Sequence, residues 1–193
     1  METSAAPPAG VARWLLLFAL VTVAYARPVM HPGIWAKPDY SVYHNRESLQ
    51  LEVEQIVNQH PDIMKLEVRH SEDKGYAVDM QMVTVEIGGH TTDHSRKLRI
   101  LIDFGEHARE LVSSETGLQL LRTLGDLDEV ARVTGAYSHR VLELLPHVVF
   151  IILPMENTRG RDKVEAGDLC ERKNGRGVDP NRNYVVHWGV KER

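Results

Sequence analysis

The stretch Lys97-Leu98-Arg99-Ile100-Leu101-Ile102-Asp103-Phe104-Gly105-Glu106-His107-Ala108-Arg109-Glu110 decides how the rest of the chain is read. Its first part, residues 97–104, is the most strand-like run in the sequence, built on Ile100, Leu101 and Ile102. Beyond Glu110, Leu118, Leu121 and Leu124 recur at helical spacing, so a strand hands over to a helix. In an open α/β sheet the carboxyl end of a central strand is where sites are built. His107 and Glu110 stand at that handover, three residues apart on a turn entering a helix, and can face one point in space. An imidazole and a carboxylate so placed are two-thirds of a His₂Glu zinc set. Taken alone the pair is a weak signal, because a solvated histidine beside a surface carboxylate has the same spacing.

Outward from this stretch the pattern is that of an α/β domain. Residues 47–59 put Leu49, Val53, Ile56 and Val57 on one face of a helix that Pro61 stops. Residues 64–70 alternate weakly and read as a strand, and the polar run 71–76 with Gly75 reads as a turn. Residues 78–87 also alternate, but the apolar phase slips at Met82-Val83, which predicts a bulge. These two strands should form an antiparallel hairpin at a sheet edge. After a polar turn over 88–95 and the strand 97–104, helices are expected over 110–124 and 138–145. The apolar run 147–153, between Pro146 and Pro154, fits a fully buried strand. Strand, two helices and strand imply a parallel crossover, so the sheet should be mixed. Residues 155–183 show no periodicity and predict a long loop, of the kind that is functional or disordered.

The first residues read as a targeting segment. Arg13 precedes the apolar run 14–23, and Ala24-Tyr25-Ala26 gives a small-x-small cleavage site before Arg27. Residues 1–26 are therefore expected to be a secretory signal, with a signal anchor as the alternative, and residues 27–39 an extended lead-in. The run is too short to span a bilayer, and the chain should act in the secretory pathway, in a lumenal or extracellular place, without stable membrane insertion. The formal net charge is −4 with both signs interspersed, which gives no electrostatic footprint for nucleic acid. Cys170 is the single cysteine, so an internal disulfide is excluded, and no Asn-x-Ser/Thr sequon occurs.

A second cluster, Gly177-Val178-Asp179-Pro180-Asn181-Arg182-Asn183, lies in the expected loop, shortly after Glu171-Arg172-Lys173. Arg182 beside Asn181 sets a planar charged fork next to an amide, suited to gripping a carboxylate, and Arg172 is a second cation. The bland alternative is a solvated, turn-rich loop. Together with Gly105-Glu106-His107-Ala108-Arg109-Glu110, this cluster resembles the zinc carboxypeptidases of the carboxypeptidase A/B type. In that family a G-x-H-x-R-E motif follows the third strand and a G-V-D-x-N-R-N motif follows the fourth. The resemblance covers roughly residues 40–184.

The resemblance implies an α/β fold with a mixed, mostly parallel sheet and helices on both faces, of the zinc-dependent exopeptidase kind. It implies one zinc ion, with His107 and Glu110 as ligands. Arg109 would line the substrate groove, Arg172 would act catalytically by polarising the scissile carbonyl, and Asn181 and Arg182 would hold the C-terminal carboxylate of a peptide or protein substrate. The family's third zinc ligand (a His), its substrate-capping Tyr and its general-base Glu lie further along, and none has a matching position before Arg193. His147 and His187 read as structural or surface residues rather than replacements. Residues 40–193 are thus expected to be the N-terminal part of a zinc carboxypeptidase domain, truncated, with strand 97–104 left as an apolar edge. The expected activity is hydrolysis of the C-terminal peptide bond by a zinc-activated water. The alternative is a non-catalytic protein of the same fold that binds peptide C-termini.

Overall fold

A computed structural model of the chain describes residues 38–88 and 97–186. The expected signal segment, most of the lead-in, most of the 88–95 turn and His187 lie outside these residues. Just past the expected lead-in, residues 40–42 form a turn, where Asp39 accepts hydrogen bonds from the Ser41 backbone N (2.9 Å) and the Ser41 hydroxyl (2.6 Å).

Helix α1 (Arg46–Gln59) starts where Asn45 accepts a hydrogen bond from the Ser48 backbone, an N-cap that satisfies one of the first-turn donors. Its buried residues are Leu49, Val53, Ile56 and Val57, the face expected from their spacing. Strands β1 (Met64–Asp73) and β2 (Tyr76–Val85) pair antiparallel from Met64↔Val85 to Asp73↔Tyr76. The turn between them is only Lys74-Gly75, both at positive φ (50° and 76°), as a type I′ hairpin turn requires. Strand β1 is therefore longer than its apolar alternation suggested, β2 is displaced two positions toward the turn, and the polar segment over 71–76 is mostly strand. The register runs without a break through Met82 and Val83, so the expected bulge is absent. Gln81, Val83 and Val85 are buried on one face of β2, while Met80 and Met82 lie on the other. Apolar side chains on both faces produced the apparent slip in phase.

Strand β3 (Leu98–Asp103) leads into helix α2 (Leu111–Gly125). A helix not anticipated from the sequence, α3 (Leu127–Thr134), follows, capped by Asp126, and then α4 (Ser138–Leu144). Strand β4 (Val148–Leu153) returns parallel to β3, in register from Leu98↔Val148 to Asp103↔Leu153, as the crossover demanded. Only Val149 and Ile152 of β4 are fully buried. The four-stranded sheet has the order β1-β2-β4-β3 and is mixed, as expected. Its antiparallel share is larger than expected among the described residues: β1–β2 and β2–β4 are antiparallel, and β3–β4 is parallel. β3 stands at the open end of that order with Leu98 and Leu101 exposed, the apolar edge foreseen. A further helix, α5 (Thr158–Glu165), occupies the segment read as loop.

The core lies between one face of the sheet and helices α1 to α3, and contains Leu49, Val53, Val83, Val85, Leu118, Leu121, Val130 and Ile152. Full burial of each such aliphatic side chain stabilises the fold by about 1.5–3 kcal/mol. Gly117 lets α2 lie against the strand end, because a Cβ there would stand 2.7 Å from the Phe104 ring. No helix among the described residues is long and apolar enough to cross a membrane.

Candidate functional site

The parallel pair β3–β4 delivers two chain segments to the same end of the sheet. Beyond the strands the segments stay laced together: Phe104 N donates to Leu153 O (2.9 Å), Glu156 N to Phe104 O (2.9 Å) and Asn157 N to Gly105 O (3.2 Å). Gly105 turns the chain here at φ 70°, so close to α2 that a Cβ would lie 2.5 Å from Ser114 Oγ. Glu110 N then donates to His107 O (3.1 Å), closing the turn that opens α2. This turn buries His107, at 6% exposure, and brings its Nδ1 to 3.1 Å from Glu110 Oε1. The spacing had indicated that the two groups could meet, and in the folded chain they do.

Asp179 completes the arrangement. Its Oδ1 is 3.1 Å from His107 Nε2 and its Oδ2 accepts from Arg172 Nε at 2.8 Å, while Arg172 Nη1 is 3.6 Å from Glu110 Oε1. His107, Asp179, Arg172 and Glu110 thus form a closed ring. Burial of Asp179 opposes its ionisation, but the hydrogen bonds and charges of Arg172 and His107 outweigh that and hold its carboxyl below the usual carboxylate range. Sequence reasoning passed over Asp179, although it sits inside the second motif, because that motif was read for its carboxylate grip.

The ring nitrogens bear on metal binding. A neutral imidazole donates from one nitrogen and accepts at the other. In the neutral tautomer that donates Nε2–H to Asp179, the Nδ1 lone pair faces Glu110, two electron-rich atoms aimed at common space. Such a pair suits a cation between them, and a carboxylate behind a ligating histidine is the usual support for one. The donor chemistry therefore fits two positions of a zinc site. Among the described residues no group of three or more His, Cys, Asp or Glu could hold a metal ion. His147 does not supply a third, since it is exposed before the start of β4, at the other end of the strand.

The remaining expected site residues stand around this ring. Arg109 is exposed and donates to Cys170 O (3.3 Å), at the ring's margin. Asn181 and Arg182 lie on a single 3₁₀ turn, Pro180–Arg182, whose N-cap is Asp179 itself. Arg182 Nη1 donates to Asn181 O at 2.8 Å, which orients the fork back along its own turn. The same Asp179 carboxylate that meets His107 thus starts the turn that carries the Asn–Arg pair.

Two further devices hold the second motif in place. Asn157 donates to Glu106 O and Lys173 O (both 3.1 Å) and caps α5 by accepting from Gly160 N (2.8 Å), so one amide ties three segments. The β1–β2 hairpin tip grips the loop over 174–178: Gly175 N donates to the Tyr76 hydroxyl (3.2 Å), and Arg176 pairs with Asp73 (2.7 Å) while lying 5.0 Å from the Tyr76 ring centre. An Asn before a polar helical turn is a legible N-cap signal; the hairpin clamp has no sequence signature.

The geometry can be set beside known proteins. A family profile described as zinc carboxypeptidase matches residues 51–193. Carboxypeptidase B2 of Rattus norvegicus is 30% identical over 162 residues, covering 79% of this chain and 35% of that protein. The chain thus spans about a third of the length of this curated relative. Among solved structures, the carboxypeptidase A from Helicoverpa armigera matches with a TM-score of 0.59 at 22% identity, covering 93% of this chain and 42% of the other. The thrombin activatable fibrinolysis inhibitor matches with a TM-score of 0.57 at 24% identity, covering 76% of this chain and 36% of the other. At these identities the two structures speak for the fold.

Proposed function

Because the chain belongs to the zinc carboxypeptidase family, we propose that its described residues form the zinc-side and substrate-terminus half of a metallocarboxypeptidase site acting on peptides or proteins with a free C-terminus. The observation that carries this reading is the closed ring of His107, Asp179, Arg172 and Glu110, which joins both sequence motifs at one point. His107 Nδ1 and Glu110 would hold the ion, with Asp179 fixing the tautomer. Zinc, when bound, supplies a Lewis acid that polarises a carbonyl and makes water a nucleophile at neutral pH. Arg172 lies beside Glu110, where a cationic fork can stabilise charge developing on a scissile carbonyl oxygen. Asn181 and Arg182 would take the terminal carboxylate and so set the exopeptidase register. Arg109, exposed next to them, would line the groove. The signal-like residues 1–26 support a place in the secretory pathway.

A second reading rests on the two-donor metal set among the described residues: a protein of the same fold that binds peptide C-termini without cleaving them. One experiment separates the two. The full chain is loaded with zinc and mixed with a blocked dipeptide bearing either a free or an amidated C-terminus. Turnover of the free form alone supports the hydrolase. Saturable binding of the free form without turnover supports the binding protein. Equal handling of both forms, or an unchanged preference in Arg182→Ala, would remove the terminal-carboxylate reading altogether.

A further inference from the structure

Among the described residues the sheet has two open edges, and they differ in character. β1 carries Lys65, Glu67, Arg69, Glu72 and Asp73, charges of the kind that keep an edge strand from pairing. β3, at the opposite end of the strand order, presents Leu98 and Leu101, 63% and 66% exposed. Its backbone shows which polar groups are left over. Phe104 N donates to Leu153 O and Phe104 O accepts from Glu156 N, so both polar groups of Phe104 face the β4 side. Direction alternates along a strand, so the groups of Leu98, Ile100 and Ile102 face β4 too, and those of Arg99, Leu101 and Asp103 point out of the sheet. No strand among the described residues takes them.

A second copy of β3 can take them, in one antiparallel register above the others. With Leu101 across from its own counterpart on a two-fold axis, Arg99 of each copy faces Asp103 of the other. Each opposed pair exchanges two hydrogen bonds, about six in all, and every outward group is met. The same register sets Leu98 opposite Phe104 and Ile100 opposite Ile102, so apolar meets apolar on both faces. Moving the axis to Ile100 or to Ile102 keeps the hydrogen-bond phase but sets Arg99 or Asp103 across from Leu101. Asp103 is also suited to receive a guanidinium. Loss of hydration first, then the hydrogen bond and charge of Glu156 and the charge of Glu106, hold its carboxyl above the usual carboxylate range. Two carboxyls that share one proton still keep one negative charge between them, and the charges that reach Asp103 are acidic. An arginine arriving from the other copy offsets them.

We propose that β3 is a self-association edge, through which two copies of this chain join about a two-fold axis, Leu101 on Leu101 and Arg99 on Asp103, into one continuous sheet. The surface is separate from the His107 ring and does not depend on hydrolysis. With only six residues paired on each side, the dimer is a reversible one that forms with rising concentration.

The test is sedimentation equilibrium of the full chain at protein concentrations up to about 1 mM, with amide hydrogen exchange at the dilute and concentrated ends. The mass is expected to rise from one copy to two and to stop there, because a two-fold contact closes. The amides of Arg99, Leu101 and Asp103 should gain protection as the dimer forms, while those of Ile100 and Ile102, already held by β4, should not change. Leu101→Lys sets two ammonium groups face to face and should weaken association at least about tenfold. Leu101 is exposed in the single copy, so the urea midpoint should stay where it is. Arg99→Asp alone should also weaken association, and Arg99→Asp combined with Asp103→Arg should restore it. A single-copy mass at every concentration, masses that grow beyond two copies, a dimer unchanged in Leu101→Lys, or a double variant no tighter than Arg99→Asp would overturn the proposal. Protection of the three amides in the single copy would overturn it too, since another part of the same chain would then cover β3.

Discussion

Asp179 Oδ1 stands 3.1 Å from His107 Nε2 across 72 positions of sequence, and through this contact the two motifs become one site. Removing the carboxylate leaves the imidazole free to rotate and to change tautomer. Asp179→Asn is therefore expected to weaken zinc binding by about 10- to 100-fold, the usual effect of losing a group behind a metal ligand. Chelator competition on the full chain measures it, with His107→Ala as the variant that should abolish the same binding.

The bend at Gly105 is intolerant of a side chain. At φ 70°, with Ser114 Oγ 2.5 Å from the position of a Cβ, alanine meets both backbone strain and a clash. Gly105→Ala should destabilise the chain by about 1–3 kcal/mol, read from the midpoint of urea unfolding.

Core and edge respond differently. Leu118 is fully buried in the core, and Leu118→Ala should destabilise by about 2–5 kcal/mol. Val112, exposed on the same helix, should change stability by no more than about 0.5 kcal/mol when replaced by alanine. Chemical denaturation of the two variants side by side gives the contrast.

Glu165 supplies a dependence on pH. Burial raises its carboxyl above the ordinary value of 4.5, against the opposing hydrogen bond from Arg46 N and the charge of Arg161. A raised folded-state value means that the fold favours the protonated form. The contribution is present in full below 4.5 and is lost as pH rises through the folded-state value. Glu165→Gln keeps an acceptor for Arg46 N and cannot ionise, so it should lose less stability than the parent between acid and neutral pH. Melting temperatures of both proteins across that window check the sign.

The clamp on the second motif can be read at a single amide. Tyr76→Phe removes the acceptor of the Gly175 N–H, a bond of about 0.5–1.5 kcal/mol. Hydrogen exchange at Gly175 should quicken, while the amides of α1 keep their protection.

How much of this was legible in the sequence depended on whether apolar periodicity carried the signal. Helix α2 and strand β4 were readable because Leu118, Leu121, Leu124 and the 148–153 run face a core. Helix α5 was not, because its buried face is Thr158, Gly160, Arg161 and Val164, a polar interface without a hydrophobic stripe. Helix α3 buries Val130 alone and is only eight residues long. In β2 a buried Gln81, held by Gln50 O and Glu54, broke the alternation and imitated a bulge. At the site, His107, Glu110, Arg172 and Asn181-Arg182 were visible as residue types. That Arg172 and His107 share one carboxylate could not be seen, since the sharing is a matter of register between loops.

The hairpin clamp also has a temporal side. Strands β1 and β2 are joined by a two-residue turn and can zip locally, on the microsecond scale of hairpins in general. The Arg176–Asp73 pair closes a loop of 103 positions, and such closures come late because chain entropy opposes them. On loop-closure grounds the docking of the second motif is expected to follow formation of the hairpin. A chain caught just before that step would have its core and its His107 turn but an unassembled site, so folding and competence for ligand would be reached at different moments.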